Sequence, residues 1–186
     1  MVGLWHSLRK SKEFMTLFAD RVFRHCFRRG ALTEDNALAR WRTLAEFIED
    51  AVLAESARWG DARRESGAAI RTRENTFYPE AERVADRMRG NVEQFLDSLR
   101  EEGYYPPIDP PEVILHEGRV EMRDPNPGAG SIYYTLDGSD PRAPGGSLSS
   151  TARLLDSAES LVLEKPRALK ARVKSSAQWS ALWEAD

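Results

Sequence analysis

Along residues 11–30, SKEFMTLFADRVFRHCFRRG, apolar side chains recur in steps of three and four. Phe14, Leu17, Phe18, Val22 and Cys26 form the stripe, and Met15 and Phe23 widen it. That period predicts a helix packed on one broad face. Ser11 suits its N-cap, and Gly30 suits a stop just past an arginine-rich last turn, where cations complement the helix dipole. Thr33 then caps a longer helix, with Glu34 and Asp35 favourable in its first turn. Its expected buried stripe is Leu38, Trp41, Leu44, Ala45, Ile48 and Val52, about six or seven turns ending near Trp59-Gly60.

Residues 61–77 show weak periodicity, mixed charge and a central glycine, which predicts a loop containing a short helical piece. Pro79 suits the first turn of a further helix. Gly90-Asn91 interrupts it, and Asn91 with Gln94 reads as a new capping box for a stripe of Val92, Phe95, Leu96 and Leu99.

At YYPPIDPPE the pattern changes, because its four prolines fit neither a helix interior nor a central strand. Short β-branched and aromatic runs follow: EVILH, RVEMR, SIYYTL, SLVLE, ALKARV and WSALWEA. The expected fold is α+β in two segregated parts, a helical bundle-like subdomain over residues 1–105 and a small antiparallel β-sandwich over residues 106–186.

Composition narrows the functional classes. Of 186 residues, 41% are hydrophobic and 31% charged, as in soluble globular chains, and no apolar run is long enough to cross a bilayer. The start, MVGLWHSLRKSKEF, lacks the build of a secretory signal, so nothing in the chain directs its own export. A single cysteine, Cys26, excludes an intrachain disulfide and reads as a buried thiol. Residues 1–105 carry 18 Lys+Arg against 18 Asp+Glu, and residues 106–186 carry 9 against 12. That balance argues against nucleic acid as a partner, despite the local clusters FRRG and DARRES.

The loop DGSD, residues 137–140, raises the question of chemistry. In the strand before it, Ile132, Tyr134 and Leu136 are expected to face the core and Tyr133 and Thr135 the other side. As a calcium loop starting at Asp137, it would have Arg142 where glycine is needed and Leu148 where glutamate is needed. Two carboxylates on one tight loop also cannot readily flank a sugar ring. A structural turn is the reading that remains. His6, His25 and His116 stand apart without ligand spacing, no G-x-S-x-G turn is present, and no metal or cofactor is expected. Trp41 reads as core. Trp179 and Trp183, four apart on one strand, share a face that either fills the core or, with Tyr133, offers a sugar-stacking platform.

The run GSIYYTLDGSDPR, followed by LKARV and QWSALWEA, resembles the C-terminal β-sandwich module named after chitobiase and β-hexosaminidase, over residues 111–186. The resemblance implies an immunoglobulin-like accessory domain on larger secreted or cell-surface proteins, outside their catalytic domain. The runs FADRVFRHCFRRGALTEDNALARW, AESARWGDARR and FLDSLREEGYYPPIDPPE resemble the C-terminal helical part of bacterial CotH-type, protein-kinase-like proteins, over residues 4–112. The kinase-like core of that family lies upstream with an acidic D-x-D motif, and this chain has neither a D-x-D nor a glycine-rich phosphate loop.

The chain therefore reads as the tail of a larger protein, without catalytic machinery of its own. Its expected role is a spacer or a weak module for polysaccharide or cell-surface glycan, with Tyr133, Trp179 and Trp183 as the ligand contacts. In the alternative, it is the accessory region of a CotH-like phosphotransferase, and Glu55, Arg58, Trp59 and Asp61 dock an upstream kinase-like domain. Secretion or surface display would then depend on the larger protein.

Overall fold

The computed structural model describes residues 2–62, 67–116, 119–126, 130–155, 161–162 and 168–185. The helical part comprises α1 (Val2–Leu8), α2 (Lys12–Cys26), α3 (Glu34–Trp59), a π-helical turn (Arg73–Phe77), α4 (Tyr78–Met88) and α5 (Asn91–Glu101). The strand-rich part comprises β1 (Glu112–His116), β2 (Arg119–Arg123), β3 (Ser131–Thr135), β4 (Arg153–Leu154), β5 (Leu161–Val162), β6 (Lys170–Ser175), β7 (Gln178–Trp179) and β8 (Trp183–Glu184). This is the α+β succession expected from the periodicities. No described helix is long and apolar enough to cross a membrane.

The contacts group the chain into two compact units, Met1–Arg24 with Leu96–Asp186, and His25–Phe95. The last helix ends at Glu101 and the first strand begins at Glu112, yet the first helices belong to the unit that holds the strands. Even the proline-rich crossing is packed, with Tyr105, Ile108, Pro110 and Pro111 buried.

In the first unit, Trp5 of α1 sets its ring edge-on to Phe14 and Phe18 of α2 and to Tyr104, with centroids 6.0, 5.3 and 5.2 Å away. The Ser11 hydroxyl accepts from the Phe14 backbone N–H at 3.3 Å and starts α2 as expected. Ala19, Val22 and Phe23 are buried, whereas Leu17 is exposed. Two antiparallel sheets follow. One runs β1-β2-β5, and the other runs β4-β3-β6-β7 with β8 also on β6. Ile132 and Tyr134 of β3 are buried as the alternation requires, but so is Thr135, whose Oγ1 donates to the Ser139 carbonyl at 2.5 Å. On β6, Ala171, Arg172 and Val173 are all fully buried, so both faces of that strand are covered. The expected single strand WSALWEA is two, β7 and β8, separated by the buried Ser180 and Ala181.

Three local expectations are corrected. Helix α2 ends at Cys26 rather than near Gly30, because Arg28 takes a left-handed φ of 55° and the Leu32 N–H turns back to the His25 carbonyl at 2.7 Å. Thr33 does precede α3, but its hydroxyl donates to the Gly30 carbonyl at 2.8 Å instead of accepting from the first turn. Asn91 is itself helical, after Gly90 at φ 70°, and the capping box lies at Thr72 and Asn75.

In the second unit, Trp41 Nε1 donates to the Ala81 carbonyl at 3.0 Å, joining α3 to α4. Gly60 closes α3 with its N–H on the Ser56 carbonyl. Leu38, Trp41, Ala45 and Val52 turn inward, but Leu44 and Ile48, expected in the same stripe, are 60% and 43% exposed. The buried side is therefore narrower than the sequence pattern suggests. Phe95 of α5 is also 44% exposed.

Candidate functional site

The DGSD loop resolves into two carboxylates with different tasks. Asp137 Oδ1 accepts from the Ser139 N–H at 2.9 Å and from the Ser139 hydroxyl at 2.6 Å, folding the loop on itself while Gly138 takes a φ of 80°. Those bonds from Ser139, side chain first, hold the Asp137 carboxyl below the usual range. Asp140 Oδ1 accepts from the Arg142 N–H at 2.9 Å and from Arg172 Nε at 2.8 Å, and its Oδ2 accepts from Arg172 Nη2 at 2.6 Å. The loop is a turn that feeds a buried arginine. Among the described residues no group of three His, Cys, Asp or Glu could hold a metal ion.

Arg172 is the centre of this arrangement. It stands on β6 with no exposed surface. Its Nη1 and Nη2 donate to the two oxygens of Asp20 on α2 at 2.8 and 2.7 Å, and Nη1 also donates to the Ser180 carbonyl at 2.7 Å. With the two bonds to Asp140, all five guanidinium N–H groups have acceptors. Asp20 Oδ1 accepts in addition from the Leu182 N–H at 2.8 Å. Burial by itself would lower the Arg172 pKa, but the hydrogen bonds to Asp140 and Asp20 outweigh it and raise the pKa. A buried charge costs several kcal/mol unless paired and fully hydrogen-bonded, and here it is both.

A second pair lies on the same helix. Arg142 Nη1 and Nη2 donate to Glu13 of α2 at 2.8 and 2.7 Å, and the Gly145 N–H donates to Glu13 Oε1 at 2.9 Å. These bonds, from Arg142 first and Gly145 second, pull the Glu13 carboxyl down to about 2. Helix α2 thus carries two carboxylates, Glu13 and Asp20, each gripped in fork geometry by an arginine of the strand-rich segment. Chemically the site fastens rather than reacts, because a guanidinium whose donors are all engaged has none left for a substrate.

The three aromatic candidates separate. Trp179 pairs with Lys174 across β7–β6, and Trp183 pairs with Ala171 across β8–β6. Lys174 and Ala171 are three apart on β6, hence on opposite faces, and cross-strand partners share a face. Trp183 accordingly lies on the core face at 3% exposure and is no ligand surface, which corrects the same-face expectation. Trp179 joins Tyr133 instead, with ring centroids 5.9 Å apart and Lys174 Nζ 5.7 Å from the indole. Both rings are half-buried, and Trp179 Nε1 is engaged with the Gly146 carbonyl at 2.8 Å.

In the His25–Phe95 unit, Trp59 is 53% exposed at the end of α3, with the Arg58 guanidinium 4.9 Å over its ring. Glu55 and Asp61 are exposed as well. Beside Trp41, a cleft of about 310 Å³ is lined by Phe77, Tyr78, Glu46 and Glu82 among others. At its edge Tyr78 donates to Glu49, which raises the Tyr78 pKa, and Arg73 bridges Glu49 at 3.2 Å. The weak periodicity of residues 61–77 gave no hint of this cleft, although the T-x-x-N spacing at Thr72 and Asn75 signals the turn that borders it.

Compared with protein-family models, curated proteins and solved structures, the chain matches none.

Proposed function

We propose that the chain is a non-catalytic accessory module of a larger protein, a stiff spacer whose Tyr133–Trp179 edge gives weak contact to polysaccharide or cell-surface glycan. In this reading the strand-rich segment is an immunoglobulin-like sandwich of the chitobiase and β-hexosaminidase C-terminal kind, and the helical segment is of CotH type. The observation that carries it is the saturation of Arg172 by Asp20, Asp140 and Ser180. Such a clamp fixes α2 to the strands, as a spacer needs, and leaves the only fully buried charge without reactive capacity among the described residues. Calorimetric titration with soluble glycans and cell-wall polysaccharides tests the binding half. Heat that Trp179→Ala abolishes supports the edge, and silence at millimolar ligand leaves the spacer alone. Phosphoryl transfer catalysed by the isolated chain would overturn the non-catalytic reading.

Exposure of Trp59 favours a second reading, in which Glu55, Arg58, Trp59 and Asp61 dock an upstream kinase-like domain and complete a phosphotransferase. Co-purification of that domain with the chain, lost in Trp59→Ala, is its test.

A further inference from the structure

The outer side of α3 is apolar where solvent would favour polar groups. Leu38, Trp41, Ala45 and Val52 face into the helical unit, and the side adjoining them carries Leu44, Phe47, Ile48, Ala51 and Ala54 in heptad-like succession, all exposed. Phe47 is 83% exposed, the most of any large apolar side chain among the described residues. A lone exposed leucine needs no explanation, but a continuous stripe along one helix marks an interaction surface.

We propose that this stripe is the contact between two copies of the chain, which pair through α3 antiparallel about a two-fold axis between Phe47 and Ile48. The charges select this occupant. Arg40 stands seven residues before Phe47, and Glu55 stands seven residues after Ile48, both exposed and at the two ends of the stripe. Antiparallel pairing about that axis sets Phe47 of one copy level with Ile48 of the other, Leu44 level with Ala51, and Arg40 level with Glu55, twice by symmetry. Parallel pairing would set Arg40 against Arg40 and Glu55 against Glu55. The small Ala51 and Ala54 let the backbones approach while Phe47 fills the centre, and antiparallel helix dipoles attract.

Area bounds the strength. At 26 residues α3 is about 39 Å long and about 10 Å wide, so one face offers on the order of 400 Å² in projection. A standard interface buries about 800 Å² of accessible surface on each partner, so this one falls at the small end and its dimer dissociates on dilution.

Sedimentation equilibrium of the full chain from about 1 to 200 μM, a span that brackets micromolar affinity, is the experiment. The expected result is a mass that rises towards twice the chain mass, with Phe47→Glu monomeric throughout and unchanged in thermal midpoint. Arg40→Glu and Glu55→Arg should each weaken association about tenfold, and the double variant should recover it. A monomer at every concentration overturns the proposal, as does a dimer indifferent to Phe47→Glu. Failure of the double variant to recover would overturn the antiparallel register.

Discussion

Asp20 and Arg172, 152 residues apart in sequence, meet in two hydrogen bonds of 2.8 and 2.7 Å on neighbouring guanidinium nitrogens. One residue is on a helix read as part of a bundle and the other on a strand read as part of a sandwich. Removing the cation would leave the Asp20 and Asp140 carboxylates facing each other with only the backbone N–H groups of Leu182 and Arg142 to hold them. Arg172→Met should therefore destabilise the chain by about 3–5 kcal/mol in denaturant unfolding. Arg172→Lys should recover only part of that loss, because an ammonium keeps the charge but not the fork. A methionine variant as stable as the parent would show that the clamp contributes specificity rather than stability.

Acid should loosen the Glu13–Arg142 clamp. The folded pKa of Glu13, about 2, lies below its ordinary 4.5, so the folded state favours the ionised form. Its contribution is complete above 4.5 and disappears as pH falls from 4.5 towards 2. Thermal midpoints of the parent and Glu13→Gln, measured across that window, should converge as the pH drops. Parallel curves would mean that the Glu13–Arg142 pair adds nothing to stability.

The two tryptophans of the last strands should respond differently. Trp183→Ala empties a buried core site and should cost about 3–5 kcal/mol. Trp179→Ala removes a half-buried ring and one bond to Gly146, and should cost about 1–2 kcal/mol. Equal losses would contradict their placement on opposite faces of β6.

Gly130 precedes β3 at a point of close approach rather than unusual dihedrals. A Cβ there would lie 2.2 Å from Val173 Cγ1 and 2.9 Å from Asp124 Oδ2, and the latter oxygen accepts the Gly130 N–H at 2.9 Å. Gly130→Ala should cost about 1–3 kcal/mol by overpacking, read as a lower denaturation midpoint with an unchanged slope. Gly138→Ala differs in cause, since its added methyl would meet nothing and only the φ of 80° opposes it.

Period and punctuation made the elements legible. Ser11, Pro79, Gly90 and the proline run each mark a boundary that the structure keeps within a few residues, because caps, prolines and positive-φ glycines act locally. What the sequence pattern could not convey was partnership between distant segments. Arg172 sits in LKARV, where strand alternation gives no sign that its face is covered by α2. Asp140 looked like turn chemistry, which it is, and nothing nearby announced its second role. The stripe of α3 misled for a related reason, since helical period reports which side chains share a face and not how much of that face a small unit can cover. Trp179 and Trp183 fall on two separate strands, with the buried Ser180 and Ala181 between them, so a spacing of four does not preserve the face.

The bond between Asp20 and Arg172 also has a temporal meaning. Helix α2 is synthesised with Glu13 and Asp20 in place before Arg142 and Arg172, which grip them, have been made. The unit that contains them joins segments that lie on either side of His25–Phe95 in the sequence, a long-range closure of the kind that slows folding. Until those arginines are made, the helices of this unit wait, and the later strands complete what the earlier helices began.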